Sequence, residues 1–122
     1  MLAALVPLVH RIAKGKRAAV GSSVVKAHVG IGAAAALFAF LHTVSVLPVL
    51  GSPAAIAGGM LAIAPAGIAF FVVVAHVGIG LRLRRPQLRD RVKLRRTHAF
   101  TAVTIVVTAT VHVVMLLRAG SP

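Results

Sequence analysis

The sequence predicts an all-α membrane protein: three transmembrane helices in a bundle, preceded by a short interfacial amphipathic helix. Three observations carry this expectation. Hydrophobic residues make up 59% of the 122 positions against 12% charged, and the mean hydropathy is +0.99. One soluble core of this size does not hide that much apolar surface. No charged residue falls between Ala27 and Leu81, or between Thr97 and Leu117, and uninterrupted runs of this length read as membrane spans. Finally, the charge is confined: 14 Lys and Arg against a single acid, Asp90, collect where the apolar runs stop.

A strongly basic chain often binds nucleic acid. Basic residues gathered at the ends of apolar helices instead set topology and contact anionic lipids, so anionic lipids and no nucleic acid are the expected partners. The chain has no cysteine, which excludes disulfides, Fe–S clusters, thiolate ligation and covalent haem attachment. Tyr and Trp are also missing. Either basic residues do the interfacial anchoring, or a partner covers the interfaces.

Residues 1–21 begin apolar and turn basic with Arg11, Lys14, Lys16 and Arg17. That order is the reverse of a secretory signal, and Pro7 interrupts the segment. It reads as an amphipathic helix lying on the membrane surface, with His10 at that surface. Residues 22–122 form the membrane domain. Its first span covers about 23–47, with Ser22 or Ser23 as cap and Pro48 ending it. The second covers about 53–81, with Ser52 as N-cap, Pro53 in the first turn and a kink at Pro65. Its small residues Ala57, Gly58, Gly59, Ala64 and Ala66 permit close approach. The third covers about 90–118, with Asp90 capping it or pairing with an arginine.

The segment 82–96 carries eight basic residues, whereas the 48–53 turn has none. The positive-inside rule then puts the N-terminus and the 82–96 loop in the cytoplasm and the C-terminus outside, most simply in a bacterial inner membrane. The first and third spans run parallel. The hexapeptide AHVGIG occurs at 27–32 and again at 75–80, at one membrane depth in antiparallel spans, and nothing is built on it.

Five histidines lie within spans, and four share one spacing. His28 and His42 are 14 residues apart, as are His98 and His112. On an α-helix that is a rise of about 21 Å and a rotation about 40° short of whole turns. Each pair therefore lies on one side of its helix, one imidazole towards each membrane face. Histidine in a bilayer is costly and marks function. Two neutral imidazoles fill both axial positions of a haem iron, which then carries electrons rather than binding oxygen. The parallel spans pair His28 with His98 at an inner haem and His42 with His112 at an outer one. His76 lies near the inner level as an alternative ligand, quinone contact or proton relay.

Two parallel helices with this spacing, HVGIGAAAALFAFLH and HAFTAVTIVVTATVH, resemble the di-haem core of the membrane cytochromes b. RRTHAFTAVTIVVTATVH is similar to the later haem-binding helix of the ferric-reductase-like cytochromes. The resemblance implies a haem-binding bundle with two haems b, His28 and His98 on one and His42 and His112 on the other. It implies transmembrane electron transfer, with quinone as exchange partner. Those families have more helices and flavin, NADPH or Fe–S partners. This chain is therefore expected to be an electron-transfer subunit rather than a complete enzyme. Its haem edges would be covered by other subunits of a membrane redox complex or by a second copy.

Gly30 and Gly32 leave room for a porphyrin beside His28. Lys26, Arg82, Arg84, Arg95 and Arg96 lie at the depth of inner propionates, and Arg118 is the basic residue on the outer side. Thr101, Thr104 and Thr108 either bond imidazoles or bond back to their own helix. Two rival readings are a (bacterio)chlorophyll-binding protein and a cofactor-poor anchor subunit of the succinate dehydrogenase or fumarate reductase type.

Overall fold

The computed structural model describes residues 2–53, 60–85 and 87–119. Its elements are α1 (Leu2–Lys14), α2 (Ser23–Val46), a 3-10 turn (Leu47–Val49), α3 (Met60–Leu83) and α4 (Arg91–Ala119). No strand occurs among the described residues. The segments Ser23–Val49, Ile63–Leu83 and Arg91–Ala119 are each long and apolar enough to cross a membrane. The fold is thus an all-α membrane protein of three spans preceded by a short helix.

Local chemistry sets most helix ends. α1 is amphipathic with basic residues in its last turn, and it runs unbroken through Pro7. Gly15, with φ +65°, ends it in the left-handed conformation that glycine adopts without a Cβ penalty. Ser22 is the N-cap of α2: its Oγ accepts from the Val25 amide at 3.4 Å and donates to the Ala19 carbonyl at 2.7 Å. Pro48 tightens the end of α2 into the 3-10 turn. The start of the second span, including Ala57, Gly58 and Gly59, lies outside the described residues. Pro65 sits inside α3, which is helical on both sides of it. Asp90 precedes α4, and its carbonyl accepts the Leu94 amide at 3.0 Å. Arg91 reaches back from α4 to donate to the Leu83 and Arg85 carbonyls, which stabilises the negative end of α3.

Contacts fix the relative directions of the spans. His76 meets Thr101 and Gly80 meets His98, so α3 and α4 are antiparallel. Phe40 stacks on Phe70 at 6.5 Å, and α2 and α3 are antiparallel as well. α2 and α4 therefore run in the same direction. On each span the half-buried residues recur at alternating steps of three and four. In α4 they include Leu94, His98, Thr101, Ile105, Thr108, His112 and Met115. In α3 they include Ala66, Ala69, Val73, His76, Gly80 and Leu83. This is the spacing with which ridges of one helix fill grooves of the next. α3 and α4 form the closest pair, α1 packs on α2, and α2 leans on α3 less extensively.

No described residue is fully buried. Phe38, Phe71 and Phe100 are each more than 70% exposed. Bilayer lipid, or another protein, supplies the surroundings that a soluble core would provide.

The three-span path predicts accessibility. The chain has no native cysteine, so single cysteines at Arg17, Arg89 and Gly51 can be labelled in sealed vesicles with an impermeant maleimide. Positions 17 and 89 should react from one side and position 51 from the other. Reaction of 17 and 89 from opposite sides would break the topology.

Candidate functional site

The imidazoles gather at the basic end of the bundle. α2 contributes His28, α3 His76 and α4 His98. The rings of His76 and His98 stack with centres 3.8 Å apart and planes 13° apart. The rings of His28 and His98 lie edge to face, 6.0 Å apart at 85°. The two AHVGIG copies thus bring their histidines to the same partner ring.

Hydrogen bonds define two of the three tautomers. His28 Nδ1 lies 2.6 Å from the Ala3 carbonyl oxygen. A carbonyl only accepts, so Nδ1 carries the proton and Nε2 presents its lone pair. His76 Nδ1 lies 2.8 Å from Thr101 Oγ1, and that hydroxyl donates to the His98 carbonyl at 2.9 Å. With its own proton committed, Thr101 accepts the His76 Nδ1–H, and His76 Nε2 is likewise bare. Thr43, Thr104 and Thr108 instead bond back to carbonyls of their own helices, as Ser and Thr often do in apolar helices. His98 Nδ1 is buried with no hydrogen-bond partner. Leaving a buried polar atom unmet costs about 1–3 kcal/mol.

Gly80 makes room for this arrangement. A Cβ at position 80 would lie 3.2 Å from His98 Cε1, inside ordinary contact. By contrast, a Cβ at Gly30 or Gly32 meets nothing within 4 Å. Gly32 lies about 40° round the helix from His28, whereas Gly30 lies about 200° away on the far side of α2.

Above the imidazoles lies a cavity of about 390 Å³, bounded by α1, the start of α2, the end of α3 and the start of α4. His28 and His98 line it, with Pro7, Leu8, Val20, Val25, Val29 and Leu83 as apolar walls. Five arginines border it: Arg11, Arg17, Arg84, Arg91 and Arg95. Of the basic residues expected beside an inner ligand, Arg84 and Arg95 reach this cavity. Lys26, Arg82 and Arg96 are exposed and do not line it. Arg118 is exposed near the opposite end.

That opposite end is less elaborated. The offset that sets His28 level with His98 also sets His42 level with His112. His112 lies on the packed stripe of α4 and is half-buried, whereas His42 is exposed. The reason is rotational. The packed stripe of α2 runs through Val25, Val29, Gly32, Ala36, Ala39 and Thr43. Both histidines of α2 stand one residue before a stripe position, about 100° to its side. α1 covers that side at His28, and nothing in the described chain does so comparably at His42.

The arrangement discriminates between ligand types. Among the described residues no three His, Cys, Asp or Glu side chains converge as a metal-ion site. Two imidazoles sharing one metal, with metal–nitrogen bonds of about 2 Å, have ring centres about 6 Å apart. His28 and His98 have that separation, while the stacked His76 and His98 are too close to ligate on opposite sides of one metal. Sequence reasoning did not single out the Ala3 carbonyl, Arg11, Arg17, Arg91 or the contact of Gly80 with His98. His76 is marked in the sequence by its depth in the second span, level with His28 and His98. The sequence matches no protein-family model, and comparisons with curated proteins and with solved structures return no match.

The glycines give a graded test. Gly80→Ala requires the His98 ring to shift by a few tenths of an ångström, and Gly80→Val should destabilise the bundle by about 1–3 kcal/mol through overpacking. Gly30→Ala should be neutral or stabilising in the ligand-free chain, because alanine is favoured over glycine in helices by up to about 1 kcal/mol. Thermal unfolding in detergent, followed by circular dichroism, checks both. Equal effects at the two positions would contradict the packing.

Proposed function

We propose that the chain is a small membrane electron-transfer protein of the cytochrome b type. His28 and His98 hold one haem b, and His42 and His112 hold a second nearer the other face. The observation that carries this reading is the setting of His28 and His98. Their ring centres are 6.0 Å apart, and the His28 Nδ1 proton is committed to a carbonyl, which leaves its Nε2 for a metal. When bound, haem would supply a one-electron iron couple. The chain's own groups do the rest. The Ala3 carbonyl fixes the ring and tautomer of His28, as outer hydrogen bonds do for metal-bound histidines. At Gly32, one turn beyond His28, a Cβ would meet nothing within 4 Å, which leaves space beside that ring. Arg84 and Arg95 are placed to pair with carboxylates of a ligand in the cavity. His76 is a neighbour of the site, held by Thr101, rather than a ligand.

The basic end is assigned to the cytoplasmic side by the positive-inside rule, which puts the C-terminus outside, in a bacterial inner membrane. Because the spans are unburied within the chain and His42 is exposed, the second site is completed by another copy or by other subunits of a redox complex. Quinone is the natural small exchange partner at such a depth.

The purified protein should show two low-spin b-type haems per chain in a reduced-minus-oxidised spectrum. His28→Ala or His98→Ala should each remove one, His42→Ala or His112→Ala the other, and His76→Ala neither. A protein isolated from haem-sufficient cells without a chromophore, or with chlorophyll bands, overturns the proposal. Loss of haem on replacing His76 but not His28 would reassign the inner ligand.

A further inference from the structure

The arginines around the cavity outnumber the charges that the proposed function requires. Five guanidinium groups border a space of about 390 Å³, and the chain's single acid, Asp90, is not among the lining residues. Arg91 is engaged with the carbonyls that end α3. Two ligand carboxylates would answer Arg84 and Arg95. Arg11 and Arg17, on the α1 side, are left facing the same space, and like charges held this close favour an anion between them.

Position identifies the anion's chemistry. The cavity lies where the span segments begin or end, at Ser23, Leu83 and Arg91, and this is the level of lipid head groups. Its α1 side combines Arg11 and Arg17 with apolar Pro7, Leu8 and Val20. Cationic and apolar side chains lining one wall match a phosphodiester with its acyl chains, not a free anion. Packing agrees, since α1 rests mainly on α2 and the cavity separates α1 from the ends of α3 and α4.

We propose that this cavity is a specific site for an anionic phospholipid, whose phosphodiester is held by Arg11 and Arg17 and whose acyl chain lies along Pro7, Leu8 and Val20. The lipid is a structural ligand and takes no part in electron transfer. The count of surplus arginines rests on the haem reading, but the lipid's readout is separate from it.

The test uses the full chain purified in mild detergent, exchanged with phosphatidylglycerol or phosphatidylcholine and examined by native mass spectrometry. Phosphatidylglycerol should be retained on the wild-type chain and phosphatidylcholine lost. The pair Arg11→Gln/Arg17→Gln should reduce retention about tenfold or more, given about 1 kcal/mol per basic residue near an anionic lipid surface. The pair Lys14→Gln/Lys16→Gln removes the same charge from residues that do not line the cavity, and it should retain the lipid. Arg84→Gln/Arg95→Gln, on the opposite wall, should retain it too, and circular dichroism establishes that each variant is folded. Equal retention of the two lipids, equal loss from the arginine and lysine pairs, or displacement of phosphatidylglycerol by millimolar inorganic phosphate would each overturn the proposal. Haem absorbance, recorded on the same samples, reports the other reading independently.

Discussion

The close approach of α3 and α4 at Gly80 is the constraint on which the rest of the inner end depends. The side chain that position 80 lacks is the space that His98 occupies, with only 3.2 Å to where a Cβ would stand. Because His98 can lie against α3, its ring stacks on His76, and His76 comes within reach of Thr101. Thr101 in turn bonds to the carbonyl of His98 itself. The imidazole stack and the hydroxyl bridge therefore form one unit spanning two helices. In a membrane, where apolar contact provides no water-driven attraction between helices, small residues and polar bridges of this kind hold helices together.

The two ends of the bundle answer the cost of embedded histidine differently. At the basic end, Nδ1 of His28 and of His76 each have an oxygen, one from a helix outside the spans and one from a neighbouring threonine. α1 is what makes this end distinct. It covers the side of α2 that carries His28, supplies the carbonyl, and closes the cavity with Arg11. At the other end no corresponding helix among the described residues covers α2, and His42 is exposed. Identical spacing in the sequence thus leads to unequal surroundings, because what covers a helix face is decided by other segments.

Much of the architecture is legible in the sequence because hydropathy acts over whole segments. The uncharged runs mark the spans, Ser22 and Pro48 mark the limits of α2, and the basic clusters mark where α3 ends and α4 begins. Helix periodicity also places His98 and His112 on one stripe of α4, where they are found. It does not place His28 and His42 on the packed stripe of α2. A difference of one residue rotates a side chain by about 100°, and an evenly apolar helix carries no mark of which face is inward. Thr101 could not be distinguished from Thr104 and Thr108 by type. Only the antiparallel register of α3 against α4 sets it opposite His76. The Ala3 contact is illegible in principle, since a backbone carbonyl leaves no trace in the identity of the residue that bears it.

That last point bears on how this protein tolerates change. The acceptor for His28 is furnished by the main chain, and any residue at position 3 would furnish it equally well. Substitution there is silent with respect to the bond. Insertion or deletion anywhere between α1 and His28 is not, because it rotates and slides the carbonyl away from the ring. For this one bond, the residues that precede His28 act through their number rather than their identity.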